Sequence, residues 1–235
     1  MRAHNWFAKR ITRYLKIRFM KLNTFERWFV NSPVRQIKQH LVMQWFKSTV
    51  ALPAGTTILE IGCGRGVGAR LIYETYKPIH LCLLDLDPAM IKKASRRLKG
   101  ENKTPISFCI GDAARLPIRD DSLDAVFGFG FLHHVPAWRE GLAEVARVLK
   151  HGGVYFMEEY YPSLYQNFLT KHIVVHPDKD RFNSQDLHQA FQNVSLTLTH
   201  TFELKRMGIL GVGVKAGAQI ISCKKHEDAC QIVLD

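Results

Sequence analysis

The feature that most constrains this chain is the junction Glu60-Ile61-Gly62-Cys63-Gly64-Arg65-Gly66-Val67-Gly68. A short apolar strand, Thr57–Ile61, ends here in alternating glycines, and a helical pattern over Val67–Tyr76 opens directly from them. Glycines at a strand–helix turn let a ligand approach the backbone without meeting a Cβ. The spacing excludes two familiar phosphate loops. Counted from Gly62, glycines stand at positions 1, 3, 5 and 7 with Val67 at position 6, so the dinucleotide pattern fails. No GK[ST] follows, so a P-loop is absent as well. Glu60, two residues ahead of the first glycine, would repel a pyrophosphate and suits a cationic ligand.

Strands and helices alternate beyond the junction. Strands are expected at 79–84, Ile106–Ile110, 125–130 and 154–158, with helices over 88–99 and 138–149. That order predicts an α/β fold with a mostly parallel sheet and helices on both faces. After Glu158 the rhythm changes. Residues 159–192 hold a tyrosine- and histidine-bearing stretch and a short helix at 184–191, followed by strand patterns at 195–205 and 215–224.

Charge divides the 235 residues unequally. Residues 1–50 carry eleven of the 33 Lys and Arg but one acid, Glu26, whereas the remainder is nearly neutral. The arm therefore points to an anionic surface. On a helical wheel Phe7, Ile11, Tyr14, Leu15, Phe19 and Leu22 share one face, with Lys9, Arg13 and Lys16 opposite and Arg18 intruding. Trp28 and Phe29 follow, and Pro33 opens a helix expected over 34–50. An interfacial helix on an anionic bilayer and a helix packed on its own domain both fit this pattern. The division expected is an arm at 1–50 and a domain at 51–235. At 46% hydrophobic residues the composition suits a globular core and excludes a disordered or fibrous chain. The five scattered cysteines form no CxxC pair, so neither a disulfide framework nor a metal site is indicated. With no secretory pattern at the N-terminus, a cytoplasmic protein is expected.

Ile58-Leu59-Glu60-Ile61-Gly62-Cys63-Gly64-Arg65-Gly66 resembles the first signature of class I S-adenosylmethionine-dependent methyltransferases, and further pieces follow in register. They are Leu83-Leu84-Asp85-Leu86-Asp87-Pro88, Gly111-Asp112-Ala113, Leu116-Pro117, Ser122-Leu123-Asp124-Ala125-Val126, Leu132-His133-His134-Val135 and Ala146–Gly153, with His151 where the family more often has proline. The overall pattern is most similar to the small-molecule, ubiquinone/menaquinone methyltransferase branch. The resemblance implies a Rossmann-like seven-stranded sheet and S-adenosylmethionine as cofactor. It implies that Glu60, Gly62, Cys63, Gly64, Asp85, Leu86, Asp112, Ala113 and Phe129 bind that cofactor. Asp85 would hold the ribose hydroxyls and Asp112 would read the adenine amino group.

Methyl transfer from a sulfonium needs alignment and a dry site. An oxygen or carbon acid also needs its proton removed near the ends of the fourth and fifth strands. Among His133, His134, Glu158, Glu159, Tyr160 and Tyr161, with His172 and His176 in the 159–192 cover segment, His134 and Glu158 rank first as catalytic residues. The expected partner is a small apolar acceptor near an anionic membrane, reached through residues 1–30. An RNA or protein substrate docked by the basic arm is the competing reading.

Overall fold

The computed structural model describes residues 33–101, 104–165, 180–217 and 231–234. The amphipathic segment at 1–32 and the part of the cover segment that holds His172 and His176 lie outside these residues.

Strand β1 (Thr57–Ile61) is buried on both faces, with Ile58, Leu59, Ile61 and the acid Glu60 all in the interior, as the position of a central parallel strand requires. Parallel partners flank it: β2 (His80–Asp85) and then β3 (Ile106–Ile110) on one side, β4 (Leu123–Phe129) and then β5 (Leu149–Tyr160) on the other. Strand β7 (Gly208–Lys215) runs antiparallel between β5 and β6 (Leu196–Leu204). The expected seven-stranded, mostly parallel sheet is therefore present. An eighth strand, β8 (Gln231–Leu234), adds to β6 in parallel, giving the order β3-β2-β1-β4-β5-β7-β6-β8.

Of the last two expected strands, the one at 195–205 is present as β6. Its neighbour β7 occupies 208–215, ahead of the expected 215–224, most of which lies outside the described residues; the pattern at 208–215 is broken by Gly208, Gly211 and Gly213. Tertiary packing explains them: a Cβ on Gly211 would lie 2.6 Å from Met157 Cε, and one on Gly213 would lie 2.7 Å from Phe191 Cε1.

Helices cover both faces. On one lie α1 (Pro33–Thr49), α2 (Val67–Tyr76) and α3 (Pro88–Arg97); on the other lie α4 (Trp138–Val148) and α6 (Ser184–Asn193), with the short α5 (Pro162–Tyr165) after β5. Asp87 caps α3 by accepting from Ala89 N at 2.9 Å, with Pro88 in the first turn, as a helix start favours. Asn183 and Asp186 form a reciprocal capping box on α6.

Helix α1, grouped by charge with the arm at 1–50, is part of the folded unit. Val42, Met43 and Phe46 are buried, and the Phe46 ring lies 5.2 Å from Phe156 and 6.1 Å from both Phe127 and Phe129. Phe127 and Phe156 stack at 4.4 Å beneath it. No helix among the described residues is long and apolar enough to cross a membrane.

Candidate active site

The chain leaves β1 for β2 and β3 on one side and returns to β4 on the other, so strand order reverses at β1. In an open α/β sheet a crevice forms beyond the carboxyl ends of the strands at such a point. The glycine junction fills this position. Gly62 and Gly64 both have left-handed backbone, with φ of +67° and +53°. A Cβ on Gly62 would fall 2.7 Å from Phe131 Cβ, and one on Gly68 only 2.2 Å from Glu60 Oε1. Alanine at Gly68 would thus displace the acid below it.

Two carboxylates end adjacent strands on the face covered by α1, α2 and α3. Asp85 Oδ2 accepts from Gly64 N and Asp85 Oδ1 from Asp87 N, both at 2.8 Å, which fixes the carboxylate and leaves each oxygen a further lone pair. Burial raises the Asp85 carboxyl above its ordinary range, against these backbone donors. Glu60 is buried, and its Oε2 has no hydrogen-bond partner among the described residues. Burial, reinforced by the nearby Asp85, pushes its carboxyl well up. A buried oxygen without a donor is costly, and a cationic or hydrogen-donating ligand group would relieve it. The same burial, beside Glu60 and Asp85, pushes the Cys63 thiol up, so Cys63 contributes its backbone rather than a thiolate. Arg65 is exposed, and its carbonyl accepts from Arg97 Nε at 2.9 Å.

The other residues singled out from sequence occupy the same edge. Leu86 is half-buried just beyond β2. Asp112, past the end of β3, accepts from Ala114 N at 3.0 Å and so closes a local turn, with Ala113 buried beside it. Phe129 packs with Phe46 and Phe127 and lies against Gly68, so its ring forms part of the core beneath the loop. The residue that abuts the glycine turn from above β4 is Phe131, whose Cβ would collide with a Cβ on Gly62 and whose ring would collide with one on Gly128.

Glu158 and Glu159 diverge to opposite faces of the sheet, as successive strand residues must. Glu158, a candidate base from sequence, is engaged by Lys38 of α1 and accepts from Tyr160 Oη at 3.0 Å. As a base it would take a proton only after releasing both contacts. Lys38 also lies over the Tyr160 ring, 4.4 Å from its centre. Glu159 is the residue the sequence reading ranked too low. Its carboxylate accepts from the backbone N–H groups of Phe131, Leu132 and His133 at 3.2, 2.9 and 3.3 Å and lies 2.7 Å from His133 Nδ1. Burial pushes its carboxyl up to about 8, against these three backbone donors. His134 is half-buried, with its ring 4.2 Å from that of His133. A pair of adjacent acids closing an otherwise apolar strand, only one of which can face each side of the sheet, is the signal that the sequence offers for the Glu159 clamp.

Residues 59–157, spanning the glycine loop to the end of β5, match the family model described as a methyltransferase domain. These residues carry a methyltransferase domain, set in a sheet of the class I methyltransferase fold. This domain is 36% identical over 126 residues to phthiotriol/phenolphthiotriol dimycocerosates methyltransferase 1 of Mycobacterium ulcerans, covering 54% of this chain and 45% of that protein. It is 38% identical over 117 residues to a fatty-acid O-methyltransferase of Mycolicibacterium smegmatis, covering 49% and 41%. The match thus spans less than half the length of these curated relatives. In fold, the methyltransferase domain resembles geranyl diphosphate C-methyltransferase of Streptomyces coelicolor, solved with Mg2+, geranyl diphosphate and S-adenosyl-L-homocysteine. That likeness has a TM-score of 0.64 at 13% identity and covers 77% of this chain and 81% of that one.

Proposed function

We propose that this chain transfers a methyl group from S-adenosylmethionine to a small, apolar acceptor at or near a membrane surface. The observation that carries the donor is the pair of strand-end carboxylates. Glu60 offers a buried oxygen suited to an ammonium group, and Asp85 offers a fixed carboxylate suited to a pair of hydroxyls. When bound, S-adenosylmethionine supplies an electrophilic methyl group on a cationic sulfur.

The chain's own residues then bind, orient and exclude water. Gly62 and Gly64 let the ligand reach the backbone, with Cys63 between them. Leu86, Asp112 and Ala113 border the adenine end, and Phe129 supports the loop from below. Phe131, held by the Glu159 clamp, walls the opposite side. A hydroxyl acceptor must also lose a proton. His134, on the turn after β4, is the group we assign to take it.

An apolar acceptor is supported by the relatives, a phthiotriol/phenolphthiotriol dimycocerosates methyltransferase and a fatty-acid O-methyltransferase. The related fold that holds geranyl diphosphate together with S-adenosyl-L-homocysteine supports it as well. The deciding experiment incubates the purified chain with methyl-labelled S-adenosylmethionine and total extract, then partitions the label. Label in the organic phase, lost in Asp85→Ala, is the expected result. Label in RNA or protein would overturn the acceptor and recast the basic arm as a polymer-docking element.

A further inference from the structure

Helices α1, α2 and α3 share one face of the sheet, and the outside of that face is unusual for a water-facing surface. While Val42, Met43 and Phe46 point α1 inward, Ile37 and Leu41 stand one turn apart on its outside at 64% and 63% exposure, with half-buried Trp45 next in the row. At the opposite margin lies the edge strand β3. Its Phe108 and Ile110 are 37% and 47% exposed on the same side as Ile106, which packs into the core beneath α3. Six large apolar side chains are this exposed among the described residues, and four of them frame this face.

The helix beside β3 is strongly basic. Lys92, Arg96, Arg97 and Lys99 are exposed, and no acid occurs between Asp87, the cap of α3, and Glu101. Arg97 donates to a backbone carbonyl, a contact that brings no opposite charge to it.

We infer that the α1–α2–α3 face is a docking surface for an anionic lipid bilayer, with Ile37, Leu41, Phe108 and Ile110 entering the interface and the α3 cations facing lipid headgroups. Exposed apolar area gains free energy on leaving water, and each cation near an anionic leaflet adds to binding. Nucleic acid would satisfy the cations equally, but it offers nothing to aliphatic Ile37, Leu41 and Ile110. Helix α1 also links this surface to the site, because its Lys38 grips Glu158 at the end of β5. The inference deepens the proposed membrane-borne acceptor and rests on that reading for its purpose, not for its geometry.

The test uses the full chain and extruded vesicles, either zwitterionic phosphatidylcholine or phosphatidylcholine with phosphatidylglycerol. Co-sedimentation should favour the anionic vesicles and weaken with salt. Partition should fall about tenfold or more both in Ile37→Ser/Leu41→Ser and in Lys92→Glu/Arg96→Glu. S-adenosylmethionine affinity is the folding control and should be unchanged in both variants. Unchanged partition in both variants would place any membrane contact elsewhere and overturn the inference. So would retention of single-stranded RNA in place of vesicles. A chain that binds vesicles through these residues yet transfers no methyl group would sink the proposed function and leave the docking surface intact.

Discussion

At the ends of β1 and β2 the site is assembled from near neighbours in sequence, whereas at the ends of β4 and β5 it depends on distant ones. Gly64 and Asp85, joined by a hydrogen bond, are 21 positions apart. Lys38 and Tyr160, which meet over Glu158, are 122 apart. The first half uses backbone N–H groups and one carboxylate per strand. The second joins the Lys38–Glu158–Tyr160 cluster, which exists only once α1 has met β5, to the Glu159 clamp on residues 131–133, which exists only once β5 lies beside β4. A local loop therefore fixes where a cofactor binds, and long-range packing fixes the surface presented to the acceptor.

The sharpest way to break the comparison is at the long-range half. Glu159→Ala removes the acceptor of three backbone N–H groups and the hydrogen-bond partner of His133 Nδ1 at once. Buried donors left unsatisfied cost about 1–3 kcal/mol each and do not simply add, so a loss of about 3 kcal/mol or more is expected in denaturant unfolding. Phe46→Ala, which empties the contact between α1 and the stacked rings, should cost a similar 3–5 kcal/mol by about the usual scale for a buried phenylalanine. If either loss stayed below about 1 kcal/mol, the second half would be no more dependent on distant packing than the first.

The short-range half should respond most clearly in binding. Asp85→Ala should weaken S-adenosylmethionine at least tenfold, about 1.4 kcal/mol, and it also costs stability through the Gly64 and Asp87 N–H groups that it strands. Calorimetric affinity within threefold of the parent would remove Asp85 from the site.

Titration gives a third handle. Burial holds the Glu159 carboxyl at about 8, so the folded chain keeps a proton that the unfolded chain releases near the ordinary value of 4.5. Stability from this group is therefore greatest below 4.5 and falls as pH rises towards 8, by at most about 1.4 kcal/mol per pH unit. Glu60 and Asp85, also raised, contribute with the same sign. Glu203 opposes them in acid. Burial raises it, but His188, Ser184 and Tyr161 outweigh burial and hold it at about 2, so its contribution disappears as pH drops below 4.5 towards 2. Melting temperatures should decline from pH 5 to 8, and Glu159→Gln should flatten that slope.

The smallest effect is expected at Cys63. Its thiol is buried and raised, so iodoacetamide at pH 7.5 should leave it unmodified in the folded chain, and Cys63→Ala should bind cofactor within about threefold of the parent. Rapid alkylation would show that the loop opens.

The sequence by itself determined the parallel core, the glycine turn and the positions of Glu60 and Asp85. These follow from local rules: an apolar run makes a buried strand, glycines permit the left-handed turn, and an acid at a strand tip stands beside it. The cap at Asp87 was legible for the same reason. Tertiary structure alone decided that Glu158 serves Lys38 while Glu159 clamps the 131–133 turn, although the two acids are adjacent and chemically alike. Their fates separate because a strand sends successive side chains to opposite faces, and only the assembled sheet says what covers each face. The same reason places β7 at 208–215: its glycines look like a loop until Met157 and Phe191 occupy the space their side chains would need.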